Sequence, residues 1–409
     1  MDGMLDSEEA ARRLGVKVST LYVYVSRGLL TSHRIGGGRR SYFELEEVER
    51  LAQHSRESSR TEMRLATVAT SITQITAAGP LYRGVPAVEL ATTHIYESAA
   101  EWLWRCSPQP WQPLGLELPA GLPARDAIRC AVSVAAAADP LRGDRRPEAV
   151  QLAARRLIVS VVEALPSATR AVGPARSIAE LLASRLGTRR RGEEVVRALD
   201  AVLVVLADHE LATSTIAVRL AASTRADLYD AMLAGLGVLG GPLHGANSEL
   251  AHGLLARCVE LGAPGAVDEE LRWRDRLPGF GQVVYPAGDP RFAVLREHFD
   301  SLAGDTERHA LDTLIEVAMS HGLPLPNVDL ALGAIVLALG APKEAGQTLF
   351  TVARLAGWVA HYLEELGEDA LRFRTRAVYV ASAGLPAEAS GEAPAIAEET
   401  AKGHRIRDF

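Results

Sequence analysis

The sequence lacks the paired cysteines that a disulfide framework needs. Its three cysteines, Cys106, Cys130 and Cys258, are far apart and form no CxxC pair, so we expect a reducing compartment. The amino terminus is acidic and has no apolar segment typical of a signal peptide. The most apolar runs, AVLVVLA and GAIVLALGA, are too short to cross a bilayer. These absences predict a cytoplasmic protein without a membrane segment.

An overall basic charge is also missing. The 409 residues carry a formal net charge of −7, and 48% of them are hydrophobic and 23% charged, which is typical of a globular protein of two or three domains. Any contact with nucleic acid must therefore be confined to one region. No histidines have a spacing suited to zinc, and we predict no metal site.

Residues 1–55 are predicted to form a small domain of their own. Ser7 is expected to cap a first helix, and VSTLYVYVSRGLL predicts a second helix. The segment SHRIGGGRRSYF predicts two short strands around a glycine-rich turn, and ELEEVERLAQH predicts a third helix. Two helices followed by a basic hairpin indicate a winged helix-turn-helix. One face of the second helix is expected to carry Val18, Leu21 and Val25.

These residues resemble the MerR/excisionase type of DNA-binding domain over about fifty positions. The resemblance implies two groups of DNA-facing side chains, one on the recognition helix and one on the wing. The first group is Ser19, Thr20, Tyr22 and Arg27, and the second is Arg34, Arg39 and Arg40. An alternative is a small adaptor whose arginines form a solvated face, because glutamates in the third helix dilute the positive charge.

Residues 66–385 have a different character, with long Ala/Leu-rich helices broken by glycine and proline. Almost nothing in this region alternates as a strand would, so it is predicted to be essentially all-α. Residues 53–65 are polar and indicate a linker. Residues 386–409 are rich in Ala, Glu and Pro and are expected to be loose or wrapped on a partner.

Four polar segments interrupt the helical pattern of this region. They are LADHELATST (206–215), GGPLHGAN (240–247), GFGQVVYPAGDPR (279–291) and PNVDL (326–330). An arginine in an apolar setting is unfavourable unless it pairs with an anion. Several such arginines together predict a pocket for a small polycarboxylate. They are Arg291, Arg354 and Arg374.

The same segments, together with GPLYRGVPAVELA (79–91) and FTVARLAGWVAHYLEE (350–365), resemble the signature segments of citrate synthases in order and spacing. The resemblance implies an all-α core with a large domain and a small domain, roughly 245–345, that closes over the ligands. It also implies a homodimer with sites shared between subunits. The reaction it implies joins acetyl-CoA to oxaloacetate and then hydrolyses the citryl thioester. Acetyl-CoA is then a co-substrate, and no cofactor is bound permanently.

The resemblance also implies roles for individual residues. Asp329 matches the base that removes a proton from the acetyl methyl group, and His244 matches the donor that stabilises the enolate. His209 would contact oxaloacetate. The simpler alternatives are that His209 and Asp208 form a pair on a helix surface and that Asp329 caps a helix. The carboxylates of oxaloacetate would be held by Arg291, Arg354 and, in the partner subunit's site, Arg374.

One position departs from the family pattern. Gln282 follows GFG, where the family has a histidine that polarises the oxaloacetate carbonyl and supplies a proton. An amide can donate a hydrogen bond but cannot act as a general acid, and the loss of that role lowers the rate by roughly 10²–10⁴. Pro286 stands where a basic residue usually helps to hold CoA, and HGANSEL is one residue shorter than the family's usual form.

Two functions are therefore open. The first is an acyltransferase that condenses acetyl-CoA, or a related acyl-CoA, with oxaloacetate or a related 2-oxo acid, slowed by Gln282. The second is a DNA-binding regulator whose degenerate core senses oxaloacetate, citrate or an acyl-CoA. Gln282 and Pro286 favour the regulator, whereas the intact Asp329 and His244 favour the enzyme.

Overall fold

A computed structural model describes residues 4–14, 16, 18–26, 30–34, 41–49, 51, 68–166, 177–241, 247–274 and 276–373. Helices dominate these ranges, as predicted. Residues 35–40, predicted to form a glycine-rich turn, residues 53–65 and residues 386–409 lie outside the described residues, so the predictions made for them stay predictions.

The amino-terminal region contains three helices and a three-stranded antiparallel sheet of order β1-β3-β2. The strands are β1 (Met4–Asp6), β2 (His33–Arg34) and β3 (Ser41–Glu44), and the helices are α1 (Ser7–Leu14), α2 (Val18–Ser26) and α3 (residues 45–49). These elements share a small apolar core of their own. It contains the buried residues Ala10, Leu21, Leu30, Phe43 and Val48.

Three details of this region differ from the sequence prediction. The cap of α1 is Asp6, whose Oδ1 accepts hydrogen bonds from the backbone N–H groups of Glu8 (3.1 Å) and Glu9 (2.8 Å); Ser7 is already inside the helix. Val18 is 38% exposed and does not belong to the apolar face that Leu21 forms. The third strand, β1, was not predicted, because three residues are too short to show an alternating pattern.

The rest of the chain contains a second small sheet and fourteen helices within the described ranges. The strands are β4 (Thr73–Thr76), β5 (Gly79–Tyr82) and β6 (Val85–Pro86). The helices are α4 (Ala87–Thr93), α5 (Tyr96–Trp104), α6 (Ala124–Ala138), α7 (Pro147–Glu163), α8 (Ile178–Arg185), α9 (Glu193–Leu206), α10 (Thr213–Ser223), α11 (Leu228–Leu239), α12 (Asn247–Leu261), α13 (Ala263–Trp273), α14 (Pro290–Leu302), α15 (Asp305–Ser320), α16 (Val328–Ala338) and α17 (Ala345–Leu366).

The described part of residues 66–385 is mainly helical, as predicted, and the second sheet is a short exception within it. Strands β4 and β5 pair antiparallel with Thr76 opposite Gly79, so a two-residue turn joins them. Gly79 has φ +110°, a conformation that favours glycine. The hairpin is short and contains Gly79 and Pro80, which hide its strand pattern in the sequence.

Helix α17 lies at the centre of this region and contacts α5, α7, α9, α10 and α11. Gly357 in α17 allows the chain after α9 to approach closely, since a Cβ there would lie 2.4 Å from the carbonyl oxygen of Ala207. The Gly357 N–H donates a 3.1 Å hydrogen bond to that oxygen. This contact fixes the start of the segment that carries His209.

Helices α12 to α16 pack on one another, and α14 connects them to α9. A Cβ at Gly333 of α16 would lie 2.7 Å from the backbone nitrogen of His252 in α12, so these two helices cross in close contact. The small domain predicted at roughly 245–345 covers these helices, and its closure over ligands stays a prediction. None of the helices in the described ranges combines the length and the apolar character needed to cross a membrane.

Candidate active site

The loop that begins at Gly279 is tied to the chain just before α16. The N–H of Asn327 donates to the carbonyl oxygen of Gly279 (2.9 Å), and the N–H of Gly281 donates to that of Leu325 (2.8 Å). The side-chain amide of Asn327 donates to the Gly281 oxygen at 2.8 Å. Gly279 and Gly281 have φ of +81° and +78°, where other residues are strained. The loop therefore brings Gln282 to the amino-terminal end of α16.

Asp329 lies in the first turn of α16 and is partly buried. The helix is capped by Asn327, whose Oδ1 accepts from the Asp329 N–H at 2.9 Å, so the interpretation of Asp329 as the cap is wrong. Burial raises the pKa of Asp329 to about 6, while the charge of Arg291 and a hydrogen bond from Asn247 lower it. The carboxylate is therefore ionised at neutral pH and is a stronger base than an exposed aspartate.

Arg291 is buried and already has an anionic partner. Its Nε and Nη2 donate to the two carboxylate oxygens of Asp289 at 2.9 and 2.8 Å. Asp289 caps α14 and also accepts from the backbone N–H of Val328 at 3.0 Å. This carboxylate therefore links the starts of α14 and α16 and holds Arg291 close enough to Asp329 to influence its pKa.

Arg354 differs from Arg291 because two of its guanidinium nitrogens lack hydrogen-bond partners among the described residues. It is 2% exposed, and its Nε and Nη1 atoms are buried without an acceptor among the described residues. Its guanidinium carbon lies 4.8 Å from the ring centre of Phe350. Burial lowers the pKa of Arg354, an effect that the charge of Asp208 partly offsets. A buried cation with unfilled donors indicates a binding position for an anion.

His209 follows α9 and is not in a helix, so the helix-surface interpretation is wrong. Its Nε2 lies 3.0 Å from the hydroxyl of Tyr285, and the two rings meet edge to face at 5.6 Å. Burial and the charges of Arg291 and Arg354 lower the pKa of His209 to about 3. The imidazole is therefore neutral at physiological pH.

A buried polar network supports the segment that carries His209. The side chain of Asp208 is paired with Nε2 of His361 at 3.3 Å, and Nδ1 of His361 lies 3.0 Å from Nη1 of Arg219. Arg219 is paired in turn with Glu364 (2.6 Å) and Glu365 (2.9 Å). Because Arg219 donates to Nδ1, His361 carries its proton on Nε2 and donates it to Asp208.

Gln282 is partly buried, and no described residue forms a hydrogen bond with its side-chain amide. The backbone carbonyl oxygen of Gln282 accepts from the backbone N–H of Tyr285 at 3.1 Å. The amide is therefore available to a ligand at the end of α16. Pro286, in the same loop, is exposed.

Several residues that were predicted to be functional are not among those that the structure describes. His244, in the gap at 242–246, and Arg374 are outside the described residues, as are Arg27, Arg39 and Arg40. The side chains of Ser19 and Arg34 are also outside it, although their backbones belong to α2 and β2. Their predicted roles stay predictions.

Two side chains of the predicted recognition helix can be described. Tyr22 is 45% exposed, and its hydroxyl lies 3.1 Å from the Oγ of Ser7. Thr20 is half-buried. The exposed Tyr22 is compatible with a contact to DNA, which stays a prediction.

Three residues that the structure brings to this site were not predicted from the sequence: Tyr285, Asp289 and Asn247. Asp289 had a usable signal, because an aspartate directly before a proline that begins a helix is a common cap. Tyr285 had only its position near Gln282, since its contact with His209 joins residues 76 positions apart. Asn247 of α12 forms a hydrogen bond with Asp329 of α16, and no local sequence pattern predicts a contact between two helices.

Comparisons with known proteins identify the family of this chain. The family model described as the C-terminal domain of citrate synthase matches residues 63–376, which is well over half of the chain. A helix-turn-helix model matches residues 4–56. The chain therefore belongs to the citrate synthase family and carries an amino-terminal helix-turn-helix domain, as the sequence predicted.

The relatives include enzymes of different length. A citrate synthase of Dictyostelium discoideum is 36% identical over 197 residues, which are 46% of this chain and 38% of that protein. Citrate synthase 2 of Bacillus subtilis is 31% identical over 270 residues, which are 62% of this chain and 71% of that protein. The match thus spans well under half of the first relative and more than two thirds of the second.

Solved structures show the same fold. The citrate synthase of Thermotoga maritima MSB8 has a TM-score of 0.65 at 25% identity, covering 79% of this chain and 95% of that one. A ternary complex of carboxymethyl coenzyme A and oxaloacetate with the citrate synthase of Thermoplasma acidophilum has a TM-score of 0.60 at 24% identity, covering 80% and 96%. At that identity the second likeness concerns the fold alone.

Proposed function

We propose that this protein is a citrate-synthase-type acyltransferase that condenses acetyl-CoA, or a related acyl-CoA, with oxaloacetate or a related 2-oxo acid. The observation that carries the proposal is Asp329, a partly buried carboxylate whose pKa is raised to about 6 at the start of α16. Such a carboxylate is ionised at neutral pH and has the basicity that a general base near neutrality needs.

The described residues support a division of tasks around Asp329. Arg354 has unfilled donors for one carboxylate of the 2-oxo acid, and Arg291 is held in place by Asp289 for the other. Neutral His209 is suited to donate a hydrogen bond without adding charge. The amide of Gln282 can polarise the keto group by a hydrogen bond.

In this proposal Asp329 takes a proton from the methyl group of the thioester, and His244 donates a hydrogen bond to the enolate oxygen. The enolate carbon then attacks the keto carbon of the 2-oxo acid. A carbon–carbon bond forms, and the electron pair of the keto group moves to its oxygen, which must gain a proton. Hydrolysis of the resulting thioester releases free CoA.

The co-substrate is proposed to be an acyl-CoA without a permanently bound cofactor. Membership of the citrate synthase family, shown by the match over residues 63–376, supports this class of co-substrate. Exposed Pro286 in place of a basic residue weakens one expected contact with CoA. We therefore expect weaker CoA binding than in a protein with a cation there.

Methyl-proton exchange tests the proposed base. Asp329→Asn should abolish deuterium uptake at the methyl group of acetyl-CoA while leaving oxaloacetate binding measurable by calorimetry. The matched control is Asp305→Asn, because Asp305 also lies in the first turn of a helix but is exposed. Exchange at the wild-type rate in Asp329→Asn would disprove its role as the base.

The helix-turn-helix match over residues 4–56 favours a second candidate, a DNA-binding regulator that senses the same ligands. Arg39→Ala combined with Arg40→Ala should weaken DNA binding on all sequences and reduce its salt dependence, as lost phosphate contacts do. Removal of residues 1–55 should leave ligand affinity intact. A full-length protein that binds no genomic fragment at low salt would instead support the adaptor interpretation.

We also propose a homodimer in the cytoplasm. Ile216 and Leu220 are exposed one turn apart on α10, and a second subunit would cover such a pair. The three cysteines are all free, which suits a reducing compartment. Two helix-turn-helix domains in one dimer would fit a palindromic DNA site.

A further inference from the structure

We propose that the hydroxyl group of Tyr285, acting through His209, supplies the proton that Gln282 cannot supply to the keto oxygen. This inference rests on the proposed condensation and names the proton source that the reaction requires. It begins from the contact between the Tyr285 hydroxyl and Nε2 of His209, at 3.0 Å.

The turn that carries Gln282 also carries Tyr285 to the site. The backbone N–H of Tyr285 donates to the backbone carbonyl oxygen of Gln282 at 3.1 Å, which closes the turn. Between them, Val283 and Val284 are exposed, whereas Tyr285 is buried. Tyr285 is therefore the first side chain after Gln282 that packs into the protein, with its ring 5.5 Å from the guanidinium carbon of Arg291.

The contact also leaves one nitrogen of His209 free for a ligand. Nε2 is occupied by the Tyr285 hydroxyl, and Nδ1 has no hydrogen-bond partner among the described residues. If the phenol donates to Nε2, the proton of the neutral imidazole is on Nδ1. Nδ1–H is then the donor directed to the 2-oxo acid, and Tyr285 replaces the proton that it gives up.

The proposed proton transfer balances without an added reactant. As the carbon–carbon bond forms, the Nδ1 proton of His209 passes to the keto oxygen, and the phenol proton of Tyr285 passes to Nε2. His209 stays neutral and changes tautomer, and the resulting tyrosinate takes a proton from water. The positive charge of Arg291 stabilises the tyrosinate while it exists.

The acidity of Tyr285 suits this transfer. Burial raises its pKa to about 12; the charge of Arg291 lowers it, and those of Asp289 and Glu210 raise it. The pKa of Tyr285 is below that of bulk water, which an aliphatic alcohol resembles, so proton transfer to the new alkoxide is downhill. Tyr82, also close to the arginines, is unsuited because its hydroxyl already donates to backbone oxygens, at 2.9 Å for Asp208.

The first test is Tyr285→Phe, which removes only the hydroxyl. Condensation, followed as thiol release, should fall by roughly 10²-fold or more, while deuterium exchange at the acetyl methyl group and oxaloacetate affinity should stay near wild type. The matched control is Tyr362→Phe, since the Tyr362 hydroxyl donates to a backbone oxygen, that of Ala226. This control should keep the wild-type rate.

A second variant separates proton supply from mere support of the imidazole ring. In a Gln282→His background the new histidine can supply the proton, so Tyr285→Phe should have a much smaller effect there than in the parent. An equal loss in both backgrounds would mean that the hydroxyl only holds His209, and would overturn the inference. Replacing Tyr285 by fluorotyrosines of increasing acidity should also move the alkaline limb of the condensation rate to lower pH.

The same assays distinguish this inference from the proposed function. If wild-type protein shows neither methyl exchange nor thiol release, both are contradicted. If the wild type turns over and Tyr285→Phe turns over equally fast, only the role of Tyr285 is contradicted.

Discussion

Replacing Arg354 by methionine should separate stability from ligand binding. The guanidinium is 2% exposed, and two of its nitrogens, Nε and Nη1, lack acceptors among the described residues. Hydrogen bonds to charged groups contribute about 1.5–3 kcal/mol each. If oxaloacetate fills both positions, Arg354→Met should weaken its binding by at least about a hundredfold, which corresponds to about 2.7 kcal/mol.

The unliganded Arg354→Met protein should nevertheless be as stable as the wild type, or more stable by about 1–4 kcal/mol, because a buried charge without full compensation is removed. Denaturant unfolding without ligand and calorimetry with oxaloacetate measure the two effects. The matched control is Arg219→Met. Arg219 is 1% exposed but is paired with Glu364 and Glu365, so its loss should destabilise the fold by about 3–5 kcal/mol.

Two results together would contradict this prediction: destabilisation of Arg354→Met as large as that of Arg219→Met, and normal binding of oxaloacetate by Arg354→Met. Arg354 would then be a structural residue whose donors are satisfied in some other way.

Three further predictions concern titration and proton supply. Gln282→His should raise the condensation rate by at least about tenfold, or about 1.4 kcal/mol of transition-state stabilisation, with little change in oxaloacetate affinity. A variant that shows no gain would place the defect in the CoA loop near Pro286 instead. Methyl exchange should rise with pH and level off above about 6, because the carboxylate of Asp329 must be ionised and its pKa is raised to about 6; a rate independent of pH from 4 to 8 would exclude this base. Burial raises the pKa of Glu97 from 4.5 to about 7. Between these two pH values the folded state holds a proton that the unfolded chain releases. The free energy of unfolding should therefore fall by about 3 kcal/mol as the pH rises from 4.5 to about 7. Glu97→Gln keeps an acceptor for the Ile178 N–H at 2.7 Å and should flatten this dependence in unfolding curves; an unchanged pH dependence would contradict the assignment.

The family and the mainly helical fold could be predicted from the sequence because the polar segments keep their order and spacing, and each contains residue types with a strong local meaning. Glycines at 279 and 281 indicate a tight loop, and the structure gives both a positive φ. Isolated arginines in apolar helices indicate an anion pocket, and Arg354 is buried with unfilled donors.

The sequence could not predict which of two nearby residues caps a helix. Asp6 and Ser7 are both good caps, and the strand that ends at Asp6 decides in favour of the aspartate. Asn327 and Asp329 are also both good caps, and the loop contacts of Asn327 with Gly279 and Gly281 fix it as the cap. In each case tertiary contacts decide between residues of equal local propensity.

Contacts between distant segments left no local trace in the sequence. The pairing of His209 with Tyr285 and of Asp208 with His361 joins residues 76 and 153 positions apart. Without a model of the packing, Tyr285 is only a tyrosine in a loop. A role for it can be inferred only from the contact between its hydroxyl and the imidazole of His209.

The most direct measurement of the central claim is thiol release by the purified full-length protein with acetyl-CoA and oxaloacetate, compared with each substrate alone. We predict release that requires both substrates and is lost in Asp329→Asn. Binding of oxaloacetate without any thiol release, under conditions where a citrate synthase relative is active, would contradict an acyltransferase and leave the ligand-sensing regulator as the supported function.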